Sequence, residues 1–121
     1  MDRTIAVPEG SYALNLSCRD GDQETAVACT RDSLGCYSGA DLAFKKIDSL
    51  LRGHWAAELA EIVKSGMFRR IVLAPAVPAH GRLTQGGLQM LAQPSDDPVL
   101  IKDVAAELIR KRRLRPTGLV G

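Results

Sequence analysis

Apolar and polar residues alternate along Ala13-Leu14-Asn15-Leu16-Ser17-Cys18, the period of two expected of a strand. Arg19-Asp20-Gly21-Asp22 is a turn cluster. Asp22, with Thr25 three residues on, is placed to cap a helix. Gln23 to Leu34 reads as that helix, with Ala26, Val27, Thr30 and Leu34 on one face and Gly35 as its stop. Leu42-Ala43-Phe44-Lys45-Lys46-Ile47 is a second strand candidate. Trp55, Leu59, Ile62 and Val63 then fall at i, i+4, i+7 and i+8, which predicts an amphipathic helix ending at Gly66. Ile71-Val72-Leu73-Ala74 is short, apolar and β-branched, as suits a buried strand of a parallel sheet. Pro75 to Gly87 and Pro94 to Pro98 read as loops. Ile101, Val104 and Leu108 predict a last helix, and Leu119-Val120 the opening of another strand.

Strands alternating with helices predict an α/β fold with a mainly parallel sheet flanked by helices. No βα unit precedes residue 13, and a last strand of two residues is not a finished element. The expectation is an incomplete three-layer domain, one piece of a larger design.

The length of 121 residues allows one domain or part of one. A hydrophobic fraction of 45% excludes wholesale disorder. No run approaches the ~18 consecutive apolar residues of a membrane helix. Met1-Asp2-Arg3-Thr4 lacks the basic-then-apolar layout of a signal peptide, so the chain reads as cytoplasmic. Net charge is only +2, but residues 101–121 hold 6 of the 16 basic side chains. Arg110-Lys111-Arg112-Arg113 with Arg115 therefore raises nucleic acid as a partner. No aromatic residue interleaves the run, and a solvated helix end is the favoured reading. Cys18, Cys29 and Cys36 form no CxxC pair, which speaks against a disulfide scaffold or a zinc site.

In open parallel sheets, ligands bind beyond the carboxyl ends of the strands. Two loops hold that place in the predicted order. The first, 46–54, carries Lys46, Asp48, Ser49 and Arg52. Asp48 suits hydroxyl groups, and Lys46 and Arg52 suit a carboxylate or phosphate, Arg bidentately. Free N–H groups at the following helix start would add an anion site. The plainer reading makes Asp48 or Ser49 the helix N-cap, with the cations in solvent. The second loop, 74–82, has two prolines, His80 and Arg82, and Gly86-Gly87 follows without a P-loop signature. His54 and His80 read more readily as loop hydrogen-bonders than as acid–base groups.

Phe44-Lys45-Lys46-Ile47-Asp48-Ser49-Leu50-Leu51-Arg52-Gly53-His54 resembles the K-x-D-S-T-x-R-G motif of the four-carbon acid sugar kinases. Ala74-Pro75-Ala76-Val77-Pro78-Ala79-His80-Gly81-Arg82, with Gly86-Gly87 downstream, is similar to that family's A-P-A-x-P-x-x-G-R segment. The resemblance runs from about residue 13 to the end, weakening after Met90, and lies in the family's N-terminal, sugar-acid-binding domain. It implies that Lys46, Asp48, Ser49 and Arg52 line a sugar-acid site and that Arg82 joins them from the second loop. It assigns no catalytic base. Leu50 stands where the motif has Thr. The family's A-D-D-x-T-G-A opening segment and its ATP-binding C-terminal domain have no counterpart here.

The expectation is a truncated substrate-binding domain of an ATP-dependent kinase acting on erythronate, threonate or their oxo derivatives, inactive alone. ATP and Mg are expected only for a complete family enzyme, and no metal or other cofactor is expected in this chain. The expected partners are a small sugar acid, a chain supplying the ATP-binding domain, and a second copy through an exposed sheet edge. A rival reading is a non-catalytic interaction or regulatory module that retains the fold.

Overall fold

The computed structural model describes residues 9–112. Helix α1 spans Gln23–Ser33 and runs on into a 3-10 turn over Leu34–Tyr37. Helix α2 spans Trp55–Lys64. A 3-10 turn at Pro78–His80 leads into strands β1 (Arg82–Gln85), β2 (Leu88–Leu91) and β3 (Val99–Asp103), and helix α3 (Val104–Arg112) follows.

Helix α1 starts where its cap predicts. The Asp22 carboxylate accepts the Thr25 N–H at 2.7 Å, and this bond holds its pKa below the usual carboxylate range. Ala26, Thr30 and Ser33 are its buried residues, whereas Val27 and Leu34, placed on the same face by their spacing, are only half-buried. Gly35 does not end the coil, because the chain tightens into the 3-10 turn instead. Helix α2 buries Trp55, Ala56, Ala60 and Ile62, while Val63 is exposed. Arg31 of α1 donates to Glu61 of α2 at 2.8 Å across the pair.

The parallel sheet is not present among the described residues. The sheet found there is antiparallel, three-stranded, in the order β1-β2-β3. The stretches 13–18, 42–47 and 71–74, read as strands from their patterns, run without ladder partners. Leu42, Phe44 and Val72 are 86%, 77% and 81% exposed. Alternation tells which side chains share a face; it does not supply the neighbour whose hydrogen bonds make a strand.

The region from Pro75 to Gly87, read as loop, contains β1 and the turn of a hairpin. Gly86 (φ +55°) and Gly87 (φ +81°) join Gln85 to Leu88 as a two-residue turn with both central φ positive. That is the type I′ geometry that matches strand twist, and Gly-Gly adopts it freely. Ile101, assigned from its spacing to the last helix, lies in β3. Helix α3 begins at Val104, with the Asp103 carboxylate accepting from Ala106 N–H at 3.0 Å. Leu119-Val120, Arg113, Arg115 and Met1–Thr4 lie outside the described residues.

The apolar core gathers Leu51, Trp55, Ala56, Val104 and Leu108, with Ile47, Leu59 and Leu73 packed against it. Burying a side chain such as Leu108 is worth about 1.5–3 kcal/mol. Ile47 and Leu51 of the first loop are thus fastened against the core built by α2 and α3. Among the described residues no helix is long and apolar enough to cross a membrane.

Candidate functional site

The first loop leaves a segment held from behind. Lys45 Nζ lies 2.9 Å from Glu58 Oε1 on α2, and both side chains are largely covered. The same Glu58 oxygen accepts from Thr30 Oγ1 at 3.4 Å and from Cys18 Sγ at 3.7 Å. Burial pushes the Cys18 thiol pKa up, so it stays a protonated packing group rather than a reactive thiolate. Lys46, the next residue, is exposed and makes no ion pair or hydrogen bond with another described residue.

Asp48 opens a turn whose carbonyl accepts Leu51 N–H at 2.8 Å. Its carboxylate accepts three bonds from Arg52: the backbone N–H at 3.2 Å and Nε at 2.6 Å on Oδ2, and Nη2 at 3.2 Å on Oδ1. The Arg52 guanidinium holds the Asp48 carboxyl down to about 2. Asp48 thus takes the Nε–Nη2 edge of the fork. Three of the five guanidinium N–H groups remain unengaged by Asp48, two of them along the outer Nη1–Nη2 edge. Arg52 itself is exposed.

Leu51 and Gly53 shape this loop through left-handed backbone. Leu51 has φ +55° yet is only 4% exposed, so core packing holds a conformation that an L side chain disfavours. Gly53 has φ +85°, and a Cβ there would sit 2.8 Å from Arg19 Cγ. Helix α2 starts only at Trp55, with His54 at its N-cap and no capping side chain. Asp48 and Ser49 therefore do not cap it; Asp48 is committed to Arg52. His54 Nε2 bonds the Gly21 carbonyl at 2.6 Å, a loop tie as its type suggested. The cleft at the start of α2 is about 90 Å³ and is lined by His54, Trp55 and by Glu107, whose carboxylate pairs with Arg110.

The second loop is closed by backbone. Val77 and Arg82 exchange hydrogen bonds of 2.8 and 3.2 Å around the 3-10 turn, with Gly81 at φ +70°. Arg82 then enters β1, and its Nε is buried with no hydrogen-bond partner. His80 is exposed on the turn.

The two loops meet at a residue that the sequence pattern did not single out. Gln89 of β2 is 0% exposed. Its Nε2 donates to the Ser49 carbonyl at 2.9 Å and to the Pro75 carbonyl at 3.1 Å. Its Oε1 accepts from Thr84 Oγ1 at 2.5 Å. Thr84 pairs with Gln89 across the hairpin, and Arg82 is two residues from Thr84, on the same face of the sheet. The available signal was a polar residue inside Leu88-Gln89-Met90-Leu91, just after a Gly-Gly turn.

Of the candidate residues, Asp48 and Arg52 are in direct contact. The Ser49 carbonyl is linked through Gln89 to Thr84, Arg82 shares only the face of Thr84 on β1, and Lys46 contacts none of them through a polar bond. The Asp48–Arg52 pair presents a carboxylate beside an open guanidinium edge, chemistry that suits a small ligand bearing a carboxylate and hydroxyls. Among the described residues no group of three or more His, Cys, Asp or Glu side chains is arranged to hold a metal ion.

Residues 4–109 match the family described as the sugar-binding N-terminal domain. A D-threonate kinase of Cupriavidus necator is 48% identical over 56 residues, 45% of this chain and 13% of that protein. A D-threonate kinase of Salmonella typhimurium is 42% identical over 50 residues, 41% of this chain and 12% of that protein. The matched part therefore spans about an eighth of these relatives. No solved structure gives a significant match.

Proposed function

The chain belongs to the family of sugar-binding N-terminal domains of the four-carbon acid sugar kinases, and on that footing we propose that residues 46–54 and 74–84 bind a four-carbon hydroxy acid. The observation that carries the reading is the Asp48–Arg52 fork. Arg52 is oriented by Asp48 and keeps its outer edge for a ligand carboxylate. The exposed Lys46 and the unpartnered Nε of Arg82 add positive charge, and Asp48 and Ser49 offer acceptors for ligand hydroxyls.

Phosphoryl transfer needs a donor nucleotide and magnesium held in line with the acceptor hydroxyl. We assign that task to an ATP-binding domain outside residues 9–112. Residues 9–112 then contribute acid binding to the reaction and not the phosphoryl donor site. The chain also self-associates through the apolar residues of its unpaired extended segments. Leu50 favours a second reading, a regulatory module that keeps the fold without the substrate, because it takes a hydroxyl out of the first loop.

Calorimetric titration with D-threonate and D-erythronate separates the two. Saturable heat that Asp48→Asn and Arg52→Ala both abolish supports the acid-binding reading. Absence of heat from a folded sample overturns it and favours the regulatory module.

A further inference from the structure

We propose that Gln89 is a positioning residue: its side-chain amide sets the separation of the Asp48 loop and the Pro75 loop, and through Thr84 the approach of Arg82. This rests on the reading of the two loops as an acid site, and it concerns how that site is assembled.

The two loops confront each other with carbonyl groups, those of Ser49 and Pro75. Two acceptors cannot bond one another. Buried together without a donor, each would bear an unmet desolvation cost. The Gln89 amide nitrogen carries two N–H groups in one plane, and one goes to each carbonyl. The orientation of the amide is fixed by its partners, since both carbonyls can only accept. The remaining amide oxygen is met by the Thr84 hydroxyl. Every polar atom of this fully buried side chain is engaged.

The bridged residues lie 40 and 14 positions from Gln89, so no local backbone geometry brings them together. The sheet supplies the rigidity. Gln89 sits on the central strand, paired to Thr84 on one side and Lys102 on the other. A bulge between Gln89 and Met90 leaves Ile101 without an opposite residue. Such irregularities turn a side chain out of the regular ladder direction. Ser49 directly follows Asp48, and Arg82 shares the face of Thr84. A shift of this one amide therefore moves the carboxylate–guanidinium fork relative to the Arg82 guanidinium. Gln89 touches no ligand in this scheme; it acts through the backbone of the residues that do.

The test combines amide hydrogen exchange with calorimetry on the full chain. In Gln89→Leu, the Leu51 and Arg52 amides, both bonded within the first loop, should exchange about tenfold faster or more. D-threonate affinity should fall by a similar factor with binding stoichiometry unchanged. General loss of fold would instead lower the stoichiometry. Gln89→Glu should bind weakly near neutral pH and recover as the pH is lowered, because a protonated carboxyl regains one donor. Wild-type affinity should lack that recovery. Should Gln89→Leu not fold, Thr84→Val removes only the hydroxyl that orients the amide, and it should shift exchange in the same direction by less. Leu51 and Arg52 exchange within about twofold of wild type in the folded variants would overturn the proposal. If wild-type protein takes up no D-threonate but exchange accelerates in the variants, the acid-binding reading falls and the positioning role stands.

Discussion

Leu51 carries two opposing demands, a left-handed backbone and a buried side chain. Truncating a buried Leu to Ala costs about 2–5 kcal/mol. The left-handed conformation costs an L residue about 1–2 kcal/mol and glycine almost nothing. Leu51→Gly should therefore unfold at higher urea than Leu51→Ala by about 1 kcal/mol of stability, although it removes more of the side chain. Asp48 gives a pH signature. Its folded pKa of about 2 lies below the ordinary 3.8, so the pair with Arg52 stabilises the fold above about pH 4. That contribution fades as the pH falls toward 2. Asp48→Asn should flatten the acid limb in this window, and 1 M salt should shrink the difference because Arg52 faces solvent. The sequence placed Asp48 and Arg52 in one short loop but gave Asp48 to hydroxyls or a helix cap and Arg52 to an anion or solvent; their pairing with each other is seen only in the structure. Gln89 was not foreseeable either: a glutamine in a strand looks the same in sequence whether it faces water or bridges two buried carbonyls.

Among the elements, the helices were the legible part. Asp22 with Thr25, and the apolar spacing from Trp55 to Ile62, use contacts within one or two turns. The sheet depends on partners that local pattern cannot name, which is why 13–18, 42–47 and 71–74 read as strands and 82–91 did not. The Gly-Gly turn was the overlooked sign. Helix α2 also secures the segment before the first loop through Glu58 and Lys45. Glu58→Gln should cost about 3 kcal/mol in chemical denaturation, because it leaves a largely covered ammonium without its counter-charge. Lys45→Met combined with Glu58→Leu should recover most of that loss. Gly53→Ala should destabilise by about 1–2 kcal/mol, since it adds a Cβ at φ +85° against Arg19.

Across the described residues, the unpaired extended segments leave large apolar side chains in solvent, as do β3 and the helix faces at Val63 and Ile109. Leu42, Phe44, Ile71 and Val72 are all exposed. Light scattering should show mass rising with concentration, and Leu42→Lys with Val72→Lys should restore the monomer mass of 13.0 kDa. A concentration-independent monomer in the wild type would refute self-association.

The hairpin described above also has a kinetic consequence. Gly86-Gly87 closes β1 onto β2 over two residues, whereas Gln89 reaches Ser49 across 40. Short loops close before long ones, because the entropy to be overcome is smaller. The hairpin is thus the early platform and the Asp48 loop docks on it late. Gln89→Leu, which also loses the Thr84 bond inside the hairpin, should speed unfolding more than it slows refolding, the chevron of contacts formed mainly after the transition state.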